Sequence, residues 1–360
     1  MKILYITDSG LDYLADQLYT GLCKLLGWEN VIDFPYKAYY HDPLRRAHYL
    51  PQNAGRRYDR GEVIELLQSH GIDLAVLSSP RRQAVETLDS LSRHARFPAL
   101  ALVDGEDDRT VRRTLFERYP FGLYFKREMA PVAAMGSGEA LYRRLFPTPD
   151  LRQRIHPLPF SVVLETVPSV RQADKDVDVS YAGRVSHPKR VRAVAMLRGD
   201  PTLRFAGGLY ADRTDRLSKL AAGPMSKFLA KLKGDPYVGD TERGKRLSPN
   251  DYYGLLNRSK MALSIRGGGF DTLRYWEIVA SNTMLISERP DIVIPDNFID
   301  REHAVFCRPD LRDLTELVRY YAAHDRERES IAARGHAHLL AFHTCERRAE
   351  YFMRTCQAAL

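Results

Sequence analysis

Cysteine is scarce: four in 360 residues (Cys23, Cys307, Cys345 and Cys356), with no C-x-x-C spacing. That scarcity excludes a secreted disulfide scaffold and points to a reduced, cytoplasmic interior. Long apolar runs are missing too. No stretch approaches the ~18 consecutive apolar residues that a membrane span needs. The opening MKILYITDSG has one lysine and too few apolar residues before Asp8 for a signal peptide, so it reads as a first strand. No internal repeat or low-complexity tract interrupts the chain. The eleven histidines show no metal-ligand spacing, and His336, His338 and His343 fall in a helix-rich tail as structural or exposed residues.

What is there fits a soluble α/β protein. The length suggests about two domains at the usual ~150 residues each, and 44% hydrophobic with 28% charged residues is an ordinary globular balance. Basic residues number 54 against 46 acidic, a net charge of +8, and the excess is uneven. Residues 1–160 carry +2 and residues 161–360 carry +6, while the segment from Arg184 to Arg274 alone holds 19 basic and 8 acidic residues. Such a segment attracts phosphate on nucleotides, nucleic acid or lipid headgroups. The plainer reading is a solvated Lys/Arg-rich surface.

Apolar runs alternate with amphipathic stretches. Strands are expected at 2–7, 31–34, 72–77, 98–103 and 122–125, with helices at 11–26, 61–70 and 81–94. The pattern breaks at Phe146-Pro-Thr-Pro149 and again at His156-Pro-Leu-Pro159. It then restarts with strands at 176–183, 202–206, 260–265, 283–287 and 303–307, helices at 189–197, 248–257 and 272–280, and a mostly helical tail from Leu311. Strands separated by helices imply parallel sheets covered on both faces. The chain reads as two such domains joined near 150–175, with ligands beyond the carboxyl ends of the strands and a cleft between the domains.

Two constellations carry chemistry. In Ser180-Tyr-Ala-Gly-Arg184-Val-Ser-His-Pro-Lys189-Arg190, a strand ends at a glycine and Pro188 opens a helix. Proline suits the first helical position, and free N–H groups there attract anions. Arg184 and Lys189 can both reach one diphosphate; the plainer alternative is a loop with solvated cations. In Arg266-Gly-Gly-Gly269-Phe-Asp-Thr272-Leu273-Arg274-Tyr-Trp-Glu277, the glycines let backbone approach a ligand closely. Asp271 or Thr272 would cap the helix, and Glu277 can accept from a pair of ribose hydroxyls. Here the plainer alternative is a flexible turn followed by a surface acid.

These two stretches resemble the donor half of the group 1 glycosyltransferases, most closely the spore-maturation-protein-like members. The resemblance covers roughly 176–350, including His343-Thr344 and Arg347, and is loose over 1–160. It implies an α/β GT-B fold, with two Rossmann-like doubly wound domains and a last helix crossing back onto the first domain. The expected division is 1–160, 161–340 and a terminal helix at 341–360. The implied activity is metal-independent transfer of a hexosyl-type sugar from a nucleoside diphosphate donor such as a UDP-sugar, with no separate cofactor. By the same resemblance Arg184 and Lys189 match the pair that neutralises the donor diphosphate, and Glu277 matches the ribose-binding glutamate. Arg266, Gly268, Thr272, Leu273 and Arg274 complete the donor set, with Ser9 and Gly10 placed where such folds bring a glycine turn near the phosphates. One position departs from the family: Gly269 stands where many members carry another glutamate, so stereochemistry and sugar are left open.

The N-terminal half supplies the acceptor candidates. Asp104, in Asp104-Gly-Glu-Asp-Asp108 past a strand end, is expected to orient or deprotonate the acceptor hydroxyl; favourably placed surface acids are the alternative. Lys126 sits similarly. From Tyr36 to Arg60 five tyrosines stand among histidines and arginines with little regular pattern, and Tyr39, Tyr40 and His41 are taken as acceptor contacts. The acceptor is a glycan, a protein or a small molecule. Two rivals remain: a sugar-nucleotide epimerase of the same fold, and a nucleic-acid-binding or nucleic-acid-modifying protein.

Overall fold

The structure, a computed structural model, describes residues 1–41, 56–131, 154–168, 174–210 and 246–359. The chain divides into two compact units. Unit 1 comprises Met1–Thr166, Asp291–Pro295 and Phe342–Leu360; unit 2 comprises Val167–Pro290 and Asp296–Ala341. The short return at 291–295 has no signal in the sequence pattern.

Unit 1 runs β1 (Ile3–Ile6), α1 (Tyr13–Leu26), β2 (Val31–Phe34), α2 (Ala38–His41), α3 (Arg60–Gln68) and β3 (Leu74–Leu77). It continues through α4 (Arg82–Ser92), β4 (Leu100–Asp104), α5 (Arg113–Arg118), β5 (Leu123–Lys126) and β6 (Ile155–Pro157). The strands form one sheet in the order β2-β1-β3-β4-β5-β6, and the pairings are parallel. The central strands β1 and β3 are apolar throughout, as strands buried on both faces require; Leu4, Ile6, Ala75, Leu77 and Leu102 enter one core cluster with Ala84, Leu88 and Leu91 of α4. That helical spacing puts three side chains on one face. β6 lies where the prolines read as a break. It is an edge strand, where a proline costs no ladder bond. Helix α5 also carried no sequence signal.

Unit 2 repeats the plan with β7 (Val177–Arg184), α6 (Pro188–Arg198), β8 (Phe205–Tyr210), α7 (Pro249–Arg258) and β9 (Ser259–Ser264). It closes with α8 (Leu273–Ala280), β10 (Met284–Glu288), β11 (Val305–Cys307), α9 (Leu314–Ala323) and α10 (Asp325–Phe342). The order β11-β10-β9-β7-β8 again puts the first strand of the unit beside the third. The strand order therefore reverses between β7 and β9, and in unit 1 between β1 and β3. Ligands bind at such switch points in open parallel sheets. β8 starts three residues later than expected, because Thr202 is spent on a turn in which its N–H and hydroxyl both donate to Asp200. Gly207, at φ +97°, lets β8 close onto β7: a Cβ there would stand 2.2 Å from the Tyr181 carbonyl oxygen.

The last helix, α11 (Cys345–Ala359), packs in unit 1 against α1. The approach is close enough that a Cβ on Gly21 would stand 2.1 Å from the Cys345 carbonyl oxygen. Among the described residues no helix is long and apolar enough to cross a membrane.

Candidate functional site

In unit 2 the chemistry collects at the carboxyl ends of β7 and β9. Pro188 occupies the first turn of α6, and His187 caps it, its Nδ1 accepting from the Lys189 N–H at 3.2 Å. Burial, helped by the nearby Arg266 cation, pulls the His187 pKa down, which keeps the ring neutral and able to accept. Arg184 is exposed at the last position of β7. Lys189 points its ammonium at Glu288, 2.6 Å from Oε2. Glu288 is only 3% exposed at the end of β10, and its other oxygen accepts from the Arg266 N–H at 2.9 Å.

Arg190, one residue on, turns inward. Its Nε donates to the carbonyls of Ile265 (3.1 Å) and Arg266 (2.9 Å), and its Nη1 to that of Arg184 (3.1 Å). The glycine loop after β9 folds over this guanidinium. A Cβ on Gly267 would stand 2.9 Å from Arg190 Nη2, so a larger residue there would displace the guanidinium. Arg266 lies over the Phe270 ring at 4.0 Å and donates to the Gly268 carbonyl, yet its Nε is buried without a hydrogen-bond partner among the described residues.

Thr272 sits at the cap position of α8, but its hydroxyl bonds Ser264 at 2.9 Å instead of capping, and Asp271 accepts from the Trp276 indole. The expected side-chain cap is absent. Leu273 begins the helix. Arg274 donates to the Ala182 carbonyl and lies 5.6 Å from the Tyr181 ring. Half-buried Glu277 accepts from the Tyr252 hydroxyl at 3.0 Å. Burial raises the Glu277 pKa, with Arg274 and Tyr252 acting against the rise. The structure thus gathers Arg184, Lys189, Arg266, Gly268, Arg274 and Glu277 around two adjacent strand ends. Arg190, Glu288 and Tyr252 join them unannounced; for the first two the available signal was position, next to Lys189 and at the carboxyl end of a parallel strand.

The switch point of unit 1 has the opposite sign. Asp8, Asp12 and Glu106 surround Arg81, whose Nε meets Glu106 at 3.0 Å while Asp12 and Asp8 lie 3.6 and 4.0 Å away. Ser9 donates its N–H and hydroxyl to Gln83, and the Gly10 N–H goes to Asp8 Oδ1 at 2.7 Å. Both amides are already spent on internal acceptors amid acids, so this loop departs from the expected phosphate turn.

Three acceptor-side expectations, Asp104, Lys126 and Tyr40, are corrected by burial. Asp104 is fully buried, its Oδ2 accepting from the Tyr124 hydroxyl and from Lys126 at 2.9 Å, its Oδ1 from the Glu106 N–H at 3.1 Å. A carboxylate so enclosed offers no oxygen to an acceptor. Lys126, 1% exposed, is its internal counterion. Tyr40 is a core residue, stacked on Tyr19 and donating to Asp16 at 2.8 Å. His41 Nε2 lies 2.9 Å from Asp33 and its ring stacks on Tyr36. Tyr39 is half-buried on the same short helix. The rest of that tyrosine-rich stretch, 42–55, lies outside the described residues, as does the Phe146–Pro149 break. The remaining acids after β4 are paired too, Asp107 with Arg127 and Asp108 with Arg112. Among the described residues no group of three or more His, Cys, Asp or Glu side chains could hold a metal ion.

Residues 213–354 match a family model described as glycosyl transferase-like. No curated protein sequence matches the chain. Among solved structures, the sucrose-phosphate synthase of Thermosynechococcus elongatus is similar with a TM-score of 0.59 at 13% identity, covering 99% of this chain and 98% of its own. Anabaena Alr3699/HepE in complex with UDP-glucose gives 0.58 at 13% identity, covering 99% and 100%. A glycosyltransferase from Rickettsia africae gives 0.60 at 10% identity, covering 99% and 98%. With two parallel sheets built alike and these likenesses running the length of the chain, the protein has the GT-B fold of the group 1 glycosyltransferases.

Proposed function

We propose that this protein transfers a sugar from a nucleoside diphosphate sugar to an acceptor hydroxyl, with the donor held by unit 2 and no metal ion or separate cofactor. The observation that carries the reading is the convergence of Arg184, Lys189 and Arg266 on the switch point of the unit 2 sheet, beside the half-buried Glu277. When the sugar–phosphate bond breaks, negative charge grows on the departing diphosphate. Fixed cations and loop amides at that point stabilise the transition state more than the ground state, the electrostatic work that a divalent ion does elsewhere. Glu277 keeps one carboxylate oxygen beyond the Tyr252 bond, and ribose hydroxyls are its natural donors.

HepE, of the same fold, is described in complex with UDP-glucose and with UDP and glucose, which makes UDP-glucose the first donor to try here. The acceptor belongs to unit 1 in this reading, but not through Asp104, Lys126 or Tyr40. The four cysteines are buried free thiols, in keeping with a cytoplasmic protein. A thermal-shift screen with UDP, GDP, ADP and TDP tests the donor site, because a ligand that binds only the folded state raises apparent stability. If none of the four shifts the midpoint, the reading fails.

A further inference from the structure

We propose that Arg190 is a positioning residue of the donor site, tying the ends of β7 and β9 into one frame with a guanidinium that no carboxylate pairs among the described residues. The proposal rests on the donor-site reading above and names the residue that makes two phosphate loops act as one. Ladder pairing between β7 and β9 is registered only as far as Ser180↔Ala262. Beyond it the two strands are no longer paired with each other: β7 runs on beside β8 to Arg184, and β9 ends at Ser264 before the Arg266 amide and the glycines. Arg190 bridges them with three donated hydrogen bonds, two to the β9 end and one to the β7 end. Lys could reach only one loop at a time; the planar fork of arginine suits both.

The charge is the second half of the argument. Arg190 is 4% exposed, and no aspartate or glutamate pairs with it among the described residues. Buried Arg328 shows the usual arrangement, with Asp325 as its partner. A neutral side chain would brace the loops at lower desolvation cost, so a buried cation without a counterion is expensive unless an anion arrives. Its neighbours Arg184 and Arg274 are cations as well, and together with burial they press its pKa down. Glu288 is engaged by Lys189 and the Arg266 N–H, so the Arg190 charge itself is left for a diphosphate to meet. Gly267 gives the guanidinium its room, since a Cβ there, 2.9 Å from Nη2, would push it aside.

The test titrates the full-length protein with inorganic pyrophosphate and with UDP by calorimetry, for the wild type, Arg190→Met and Arg190→Lys. Arg190→Met should bind both ligands about 10- to 100-fold more weakly, the loss of one charge-assisted interaction and of the frame, and with less dependence on salt than the wild type. Arg190→Lys restores the charge but not the double reach, so it should recover only part of the affinity. Should Arg190→Met not fold, Arg190→Lys carries the test. Binding of both ligands by the folded variants as tightly as by the wild type would reduce Arg190 to a brace and overturn the proposal. A wild type that binds neither ligand would instead remove the donor-site reading on which it rests.

Discussion

Replacing Asp104 by asparagine separates a structural carboxylate from a catalytic one. Its two oxygens receive the Tyr124 hydroxyl, the Lys126 ammonium and the Glu106 N–H, with Arg112 3.6 Å away, and neither Asp104 nor Lys126 is more than 1% exposed. Asparagine offers one acceptor oxygen. Facing it toward Tyr124 and Lys126 turns its NH2 against the Glu106 N–H, and the opposite orientation turns it against Lys126. Either way a buried ammonium loses its counterion, a change worth about 3–5 kcal/mol of stability. For a unit of this size that lowers the thermal midpoint by roughly 6–20 °C. Differential scanning calorimetry reads the shift, and donor turnover is measured well below the midpoint, where the variant is folded. Asp104→Leu combined with Lys126→Met should recover part of the lost stability, since removing both charges leaves none unpaired. Loss of a general base costs about 10²–10⁴ in rate. Unchanged stability with a turnover loss of that size would refute the structural role and return Asp104 to the acceptor.

Arg184→Ala should lower turnover by about 10²–10³ if its cation meets the departing diphosphate; near-normal steady-state rates would remove it from the site. Glu277→Gln should weaken nucleoside diphosphate binding in calorimetry while leaving the fold intact. Glu277 also has a pH signature. Its folded pKa is raised by burial, so the folded form holds its proton at pH values where the unfolded chain has lost it. Stability therefore falls as pH rises from the ordinary glutamate range through the raised value, and Glu277→Gln, measured by urea denaturation across that range, should abolish this slope. Gly207→Ala should destabilise unit 2 by about 1–3 kcal/mol or more, because φ +97° and a Cβ 2.2 Å from the Tyr181 carbonyl oxygen cannot both be accommodated; an unshifted midpoint would contradict that contact.

Much of the candidate site in unit 2 was legible because it is written in local chain chemistry. A strand, a glycine, a proline at a helix start and a cation in the first turn follow one another between Val177 and Lys189, and β7 and α6 follow directly. What an inward turn of the helix does was not legible: Lys189 and Arg190 are neighbours of like charge, yet one faces Glu288 and the other three carbonyls. Asp104 misled for the same reason. Its place at a strand end is local information, whereas its burial depends on Tyr124 and Lys126, which β5 brings alongside through parallel pairing twenty-odd residues later. Tyr40 looked like a surface aromatic because its partners, Tyr19 and Asp16, lie on a different helix.

Glu288 is an internal anion at the candidate site. Its carboxylate already holds the ammonium of Lys189 and one amide of the glycine loop, so a diphosphate bound there as proposed would exchange one anion for another. The affinity it gains is a difference between two ion pairs, smaller than either. The same subtraction applies to the spent nucleotide. A tethered carboxylate never diffuses away, so it competes for Lys189 at an effective concentration that no free product matches. Under the proposed reaction this carboxylate would reclaim the Lys189 cation from within after each cycle and so hold product inhibition down.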